Sequence, residues 1–162
     1  MTTVVSDTSP INYLVLIETI DVLPKLFDEV IIPPAVAAEL QHPRTPQTVR
    51  DWIANLPPWA RIQSPSRVDA TMDLGKGETE AISLAVELGI HAVLIDEKRG
   101  RLAARERGLV PVGTLNILNA ADLRGLIDFA QAIAKLRQTT FRADSKLLNT
   151  LIQDARTRKG SG

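Results

Sequence analysis

Short apolar runs rich in Val and Ile alternate along this chain with longer stretches in which apolar residues recur every three or four positions. The first pattern reads as strands buried on both faces and the second as helices covering them, so their alternation predicts a parallel α/β sheet with crossover helices. The candidate strands are TVVS (3–6), EVIIP (29–33), WARIQ (59–63), AVLID (92–96) and LVPVG (109–113). Helices are expected near 9–18, 21–27, 34–41, 46–56, 76–89, 98–107 and 114–124. Pro34 suits a first helical turn, and Gly89 and Gly108 suit C-terminal caps. After Gly125 the pattern is purely helical, with Ile127, Ala130 and Ile133 followed by Leu147, Leu148 and Leu151. We therefore expect one domain over residues 1–157, an α/β core to about 125 and C-terminal helices over 126–157, with 158–162 disordered.

Composition narrows the chemistry. A chain of 162 residues with 44% hydrophobic content supports one sizeable core. Its 19 basic and 19 acidic residues balance, so no global field points to a nucleic acid and any such partner must be read locally. The absence of cysteine excludes disulfides, thiolate metal sites and cysteine nucleophiles, and suits a reducing compartment. No signal-peptide pattern opens the chain and no segment nears the roughly 20 apolar residues of a membrane span, so a soluble cytoplasmic protein with no membrane partner is expected.

In an open parallel sheet, ligands gather beyond the carboxyl ends of the strands, and there two candidate strands run into aspartates. Asp7 follows VVS and Asp96 follows AVLI. Asp7 also fits the N-cap of the next helix. In GKGETEAISLAVEL the helical period puts Glu78 with Ala81, Ile82 and Ala85 on the apolar stripe, at the helix end whose dipole favours an anion; Glu80 falls with Ser83, Leu84 and Glu87. Glu39 projects from an apolar helical face, with Ala35 and Val36 one turn back. Other acids, among them Asp69, Glu87, Asp122 and Asp128, have ordinary surface, cap or turn readings. Four converging carboxylates would repel one another, and a divalent cation would relieve that. All-oxygen ligation favours Mg²⁺ or Mn²⁺ over zinc, with His42 and His91 read as surface residues.

The ordered set SDTSP, PAVAAEL, GKGETEAISLA and VLIDEKRGR, followed by VGTLNIL, resembles the PIN-domain nucleases. More narrowly it is similar to a bacterial and archaeal branch described as predicted nucleic-acid-binding proteins and related to VapC-type toxins. The resemblance covers roughly residues 1–125 closely, and the helical tail is typical of that branch. It implies a PIN-like, Rossmann-like three-layer α/β/α fold with a central parallel sheet. It also implies a metal-dependent ribonuclease with RNA as substrate, an antitoxin as partner of the toxin members, and a homodimer; by analogy with other carboxylate-metal nucleases, the products would carry a 5′-phosphate and a 3′-hydroxyl. Carried over residue by residue, the catalytic and metal-binding acids fall on Asp7, Glu39, Glu78 and Asp96, with Glu97 as an auxiliary ligand. Thr8 or Ser9 would position water or a phosphate oxygen. Position 78 is Glu where many of the toxins have Asp.

Positive charge follows directly, in KRGRLAARER, where Lys98, Arg99, Arg101 and Arg105 are candidate RNA contacts and Arg107 extends the run. The same residues read equally as an exposed helix in which Arg101 and Arg105 pair with Glu97 and Glu106. The basic end RTRKG reads as solvated. Two other functions compete: a PIN fold that binds nucleic acid or protein without cleaving, and a haloacid-dehalogenase-like phosphatase with Asp7 as nucleophile. The second usually needs another Asp two residues on, where this chain has Ser9.

Overall fold

The computed structural model describes residues 2–161. All five expected strands form: β1 (Thr3–Ser6), β2 (Glu29–Ile32), β3 (Ala60–Ile62), β4 (Ala92–Leu94) and β5 (Val110–Val112). They make one parallel sheet in the order β3-β2-β1-β4-β5. The helices fall where the period put them, to within a residue or two: α1 (Thr8–Leu16), α2 (Leu23–Leu26), α3 (Pro34–Leu40), α4 (Gln47–Ala54), α5 (Lys76–Glu87), α6 (Lys98–Glu106), α7 (Thr114–Leu123), α8 (Phe129–Leu136) and α9 (Ser145–Ser161). Pro34 opens α3, and Gly89 and Gly108 adopt φ of +66° and +78°, the left-handed conformation that ends the helices before them.

Sheet alternation decides what lies on each face. Val5, Ile31, Val93 and Ile95 share a core with Ala81, Ile82, Leu84 and Ala85 of α5 and Ala103 and Ala104 of α6. The alternate residues Val4, Val30, Ile32 and Leu94 are fully buried and point to the opposite face, which right-handed crossovers assign to α1 and α4. The result is three layers, α/β/α. From β1 the chain winds outward through β2 to β3, then returns across the sheet to β4. The winding therefore reverses between β1 and β4, where neighbouring loops leave in opposite directions and open a crevice at the carboxyl edge.

Two compact units divide the chain, one up to Thr114 and one from Leu115 onward. In the second, α8 and α9 pack together, and the carboxylate of Asp122, only 7% exposed, accepts from the Phe129 N–H at 3.0 Å. Arg158 and Lys159 pair with that carboxylate at 3.1 and 3.3 Å, and Lys159 also reaches Asp128 at 2.7 Å. The basic end is thus no solvated tail, and Asp122 is no ordinary surface acid. Residues 158–161 are helical rather than disordered because these ion pairs hold the last turns of α9; Gly162 lies outside the described residues. Among the described residues no helix is long and apolar enough to cross a membrane.

Ile82 has no exposed surface, so Ile82→Ala should cost about 2–5 kcal/mol in guanidinium unfolding. Leu102→Ala on α6, at a side chain 56% exposed, should stay within about 0.5 kcal/mol of the wild type.

Candidate active site

Acids gather at the carboxyl edge between β1 and β4. The Asp7 N–H donates to the Leu94 carbonyl at 2.8 Å, which ties the first residue beyond β1 to the end of β4. Asp7 occupies the N-cap position of α1, yet its side chain makes no capping hydrogen bond. The cap reading is therefore not realised. Its carboxyl is buried, at 5% exposure, and burial pushes its pKa up to about 7. Interaction with the Thr8 N–H opposes the rise, while Glu78, Glu39 and Asp96 add to it.

Glu78 stands in the first turn of α5, and its Oε2 is a buried oxygen without a hydrogen-bond partner. Burial raises its pKa, Glu97 and Glu39 raise it further, and Arg99 opposes them. Glu39, on α3, accepts from the Thr8 hydroxyl. Its carboxylate lies over Gly77, where an added Cβ would sit 2.7 Å from Oε1 and 3.1 Å from Oε2. Gly100 of α6 makes the matching space for Glu78, since a Cβ there would meet Oε2 at 2.9 Å and the Ile95 Cδ1 at 2.5 Å. Asp96 follows β4, and its two oxygens accept from the Thr114 N–H and hydroxyl, both at 2.7 Å. Burial raises its pKa, against the Thr114 hydrogen bonds and the Arg101 charge. Glu97 is exposed at the N-cap position of α6 and makes no capping bond.

Asp7, Glu39 and Glu78 thus form a mutually repelling centre, with Asp96 against Asp7 on one side and Glu97 against Glu78 on the other. This donor set fits a hard divalent cation: every ligand would be oxygen, Glu78 offers an unpartnered buried atom, and the charges repel without a counter-ion. As the side chains stand, no three His, Cys, Asp or Glu among the described residues are arranged so that they could hold a metal ion. Ser9 is half-buried in α1, beside Thr8.

The basic run is less uniform than its sequence. Lys98 and Arg99 are exposed in the first turn of α6, with Arg99 donating to the Asp73 carbonyl at 3.0 Å. Arg101 is half-buried and donates to the Ile95 carbonyl at 3.2 Å rather than pairing with Glu97. Arg105 lies two turns from Lys98, about 10 Å along the helix. Arg107 is committed to the 63–75 connection through Asp69 at 3.1 Å. A cavity of about 420 Å³ lined by Val68, Met72, Ser83, Val86 and Arg107 includes none of the acids that converge on Asp7.

The whole chain but for its ends, residues 3–157, matches the family model described as a PIN domain. The chain belongs to the PIN-domain family. No curated protein matches it. The PIN fold is a nuclease-type fold, and the strand order described above is that fold in this member. Sequence reasoning missed three supports of that edge: Thr114, which holds both oxygens of Asp96, and Gly77 and Gly100, which make room for Glu39 and Glu78. Only GKGETE carries a local signal, a glycine beside Glu78; Thr114 and Gly100 stand in VGTLNIL and KRGRL, stretches without an acid.

Two outcomes are expected. Asp7 ionises near 3.8 when unfolded and near 7 when folded, so between those values the folded chain holds a proton the unfolded chain has released and stability falls as pH rises. In chelator, Asp7→Asn should exceed the wild type in stability at pH 8 by up to ~4 kcal/mol, the gap closing toward pH 4, as urea unfolding at both values would show. Gly77→Ala should stay within about 1 kcal/mol of wild-type stability, because the clash falls on the movable end of Glu39. It should nevertheless weaken Mn²⁺ binding, read by calorimetry.

Proposed function

We propose that this PIN domain is a Mg²⁺- or Mn²⁺-dependent endoribonuclease that hydrolyses RNA phosphodiesters. The observation that carries the reading is the buried Asp7 carboxyl, pushed up to about 7 at the crevice between β1 and β4 and facing three further acids. An acid so placed, with no capping bond to explain it, has little structural use. Asp7, Glu39, Glu78 and Asp96 would hold the cation, with Glu97 as an auxiliary ligand. When bound, it would supply charge stabilisation for the transferring phosphoryl group and activation of water at neutral pH.

The remaining work falls to side chains of this chain. The Thr8 hydroxyl orients the Glu39 carboxylate, and Thr8 or Ser9 would position water or a phosphate oxygen. Lys98 and Arg101, in the first turns of α6, would steady the RNA backbone near the acids, with Arg99 beside them and Arg105 about 10 Å further along. The products would carry a 5′-phosphate and a 3′-hydroxyl. The cellular setting proposed is the cytoplasm, as the toxin of a type II pair held by an antitoxin and acting as a homodimer.

A second reading is favoured by one observation, that among the described residues no three acids stand in metal-holding geometry. In it the domain binds RNA or a protein without cleaving. Cleavage of a mixed RNA substrate in Mn²⁺ separates the two. The nuclease reading expects wild-type cleavage that chelator abolishes and Asp7→Asn reduces by roughly 100-fold or more, since charge stabilisation by a metal is worth several kcal/mol. Intact RNA with both proteins, under conditions where the wild type binds Mn²⁺, would favour the binding module.

A further inference from the structure

Glu80 has no part in the acidic edge, and its period places it with Ser83, Leu84 and Glu87, off the stripe that carries Glu78. Glu80, Ser83 and Glu87 are acceptors for backbone N–H groups instead. Ser83 takes the Asp69 N–H at 2.9 Å, Glu87 takes those of Ser66 and Arg67 at 2.8 and 3.2 Å, and Glu80 takes that of Ala35 at 3.0 Å. The last bond differs in what it holds. Helix α3 has Pro33 at its N-cap, with no side-chain cap, and Pro34 next, with no N–H. Ala35 therefore carries the first donor of the helix, and it is 7% exposed. A buried first donor needs a partner from elsewhere, and α5 provides it.

The same two helices meet again at the site. Gly77 lies three residues before Glu80 and on the same face of α5, while Glu39 lies four residues after Ala35 and on the same face of α3. Gly77 is the residue over which the Glu39 carboxylate rests. The two helices thus run past each other in opposite senses and are fixed at two points, the Glu80 hydrogen bond at one end and the Gly77 approach at the other.

We infer that Glu80 is a positioning residue for Glu39: by holding the first turn of α3 against α5, it sets where the Glu39 carboxylate lies beside Glu78. The consequence for metal binding and cleavage rests on the nuclease reading above, whereas the positioning itself does not. Glu80→Gln keeps an oxygen acceptor for the Ala35 N–H, Glu80→Asp draws the acceptor back by one methylene, and Glu80→Ala removes it.

The test uses the full chain and three readouts: amide hydrogen exchange in metal-free protein, Mn²⁺ affinity by electron paramagnetic resonance, and Mn²⁺-dependent RNA cleavage. Glu80→Ala should exchange its α3 amides faster while α5 keeps its protection. Mn²⁺ affinity should fall about tenfold, the size usual when a partner behind a metal ligand is lost. The Mn²⁺ concentration for half-maximal cleavage should rise in step. Glu80→Gln should follow the wild type, and Glu80→Asp, the milder lesion should Glu80→Ala not fold, should fall between. Unchanged α3 exchange in Glu80→Ala would overturn the inference. So would a loosened α3 with unaltered Mn²⁺ affinity, or a Glu80→Gln as damaged as Glu80→Ala, which would mean that charge rather than position matters. If the wild type neither binds Mn²⁺ nor cleaves, the nuclease reading fails on its own. The role of Glu80 is then decided by α3 exchange and by the Glu39 carboxyl carbon shift, which Glu80→Ala should move and Glu80→Gln should not.

Discussion

A carboxyl group held out of water where two parallel strands part is the constraint around which this fold is arranged. Asp7 sits there because β1 is the strand at which the winding reverses, so the loops after β1 and β4 leave in opposite directions. Burial alone would favour a neutral acid, and the nearby Glu39, Glu78 and Asp96 press in the same direction. The ionised edge is therefore a strained state of the protein by itself. Its stability is obtained from the surrounding core, where Val5, Ile31 and Val93 bury themselves fully or almost fully against α5 and α6.

What surrounds the acids is chosen to hold them without neutralising them. Their direct supports are hydroxyls and glycines: Thr8 on Glu39, Thr114 on Asp96, Gly77 beneath Glu39 and Gly100 beside Glu78. The guanidinium groups nearest the edge spend hydrogen bonds elsewhere, Arg99 on the Asp73 carbonyl and Arg101 on the Ile95 carbonyl. They temper Glu78 and Asp96 at a distance and form no ion pair with either. A buried ion pair at these positions would cancel the carboxylate charge. Neutral supports leave it available, and they fix orientation through directional bonds at little electrostatic cost.

The fold was largely legible in the sequence because its signals are periodic. Strands buried on both faces read as Val/Ile runs, and each lies within a residue or two of its expected bounds, even β3, where WARIQ contributes only Ala60 to the buried face. The acids at strand ends were legible for the same reason, since their positions follow from where apolar runs stop. The supports were not. Whether Glu78 or Glu80 turns to the sheet follows from the period, but that Glu80 meets Ala35 depends on where α3 lies, and no local pattern contains that. The ion pairs of Arg158 and Lys159 with Asp122 are likewise invisible from a basic terminal run, because the partners are more than 30 residues apart.

Asp96 shows how one residue can serve both structure and chemistry. Both its oxygens accept from Thr114, which would by itself explain a half-buried aspartate at this position. An ionised carboxylate, however, offers about four acceptor sites, and Thr114 takes one on each oxygen. The remaining sites are free, and they belong to a group whose rotation is already locked. Glu97, one residue later, has the opposite character: it is exposed, lacks a capping bond, and acts on Glu78 through charge alone. Of two adjacent acids, the one bound by its neighbours is the better ligand, because the entropy of ordering it has been met by the fold rather than by the cation. On the proposed nuclease reading, Asp96 would therefore be the ordered ligand and Glu97 the marginal one.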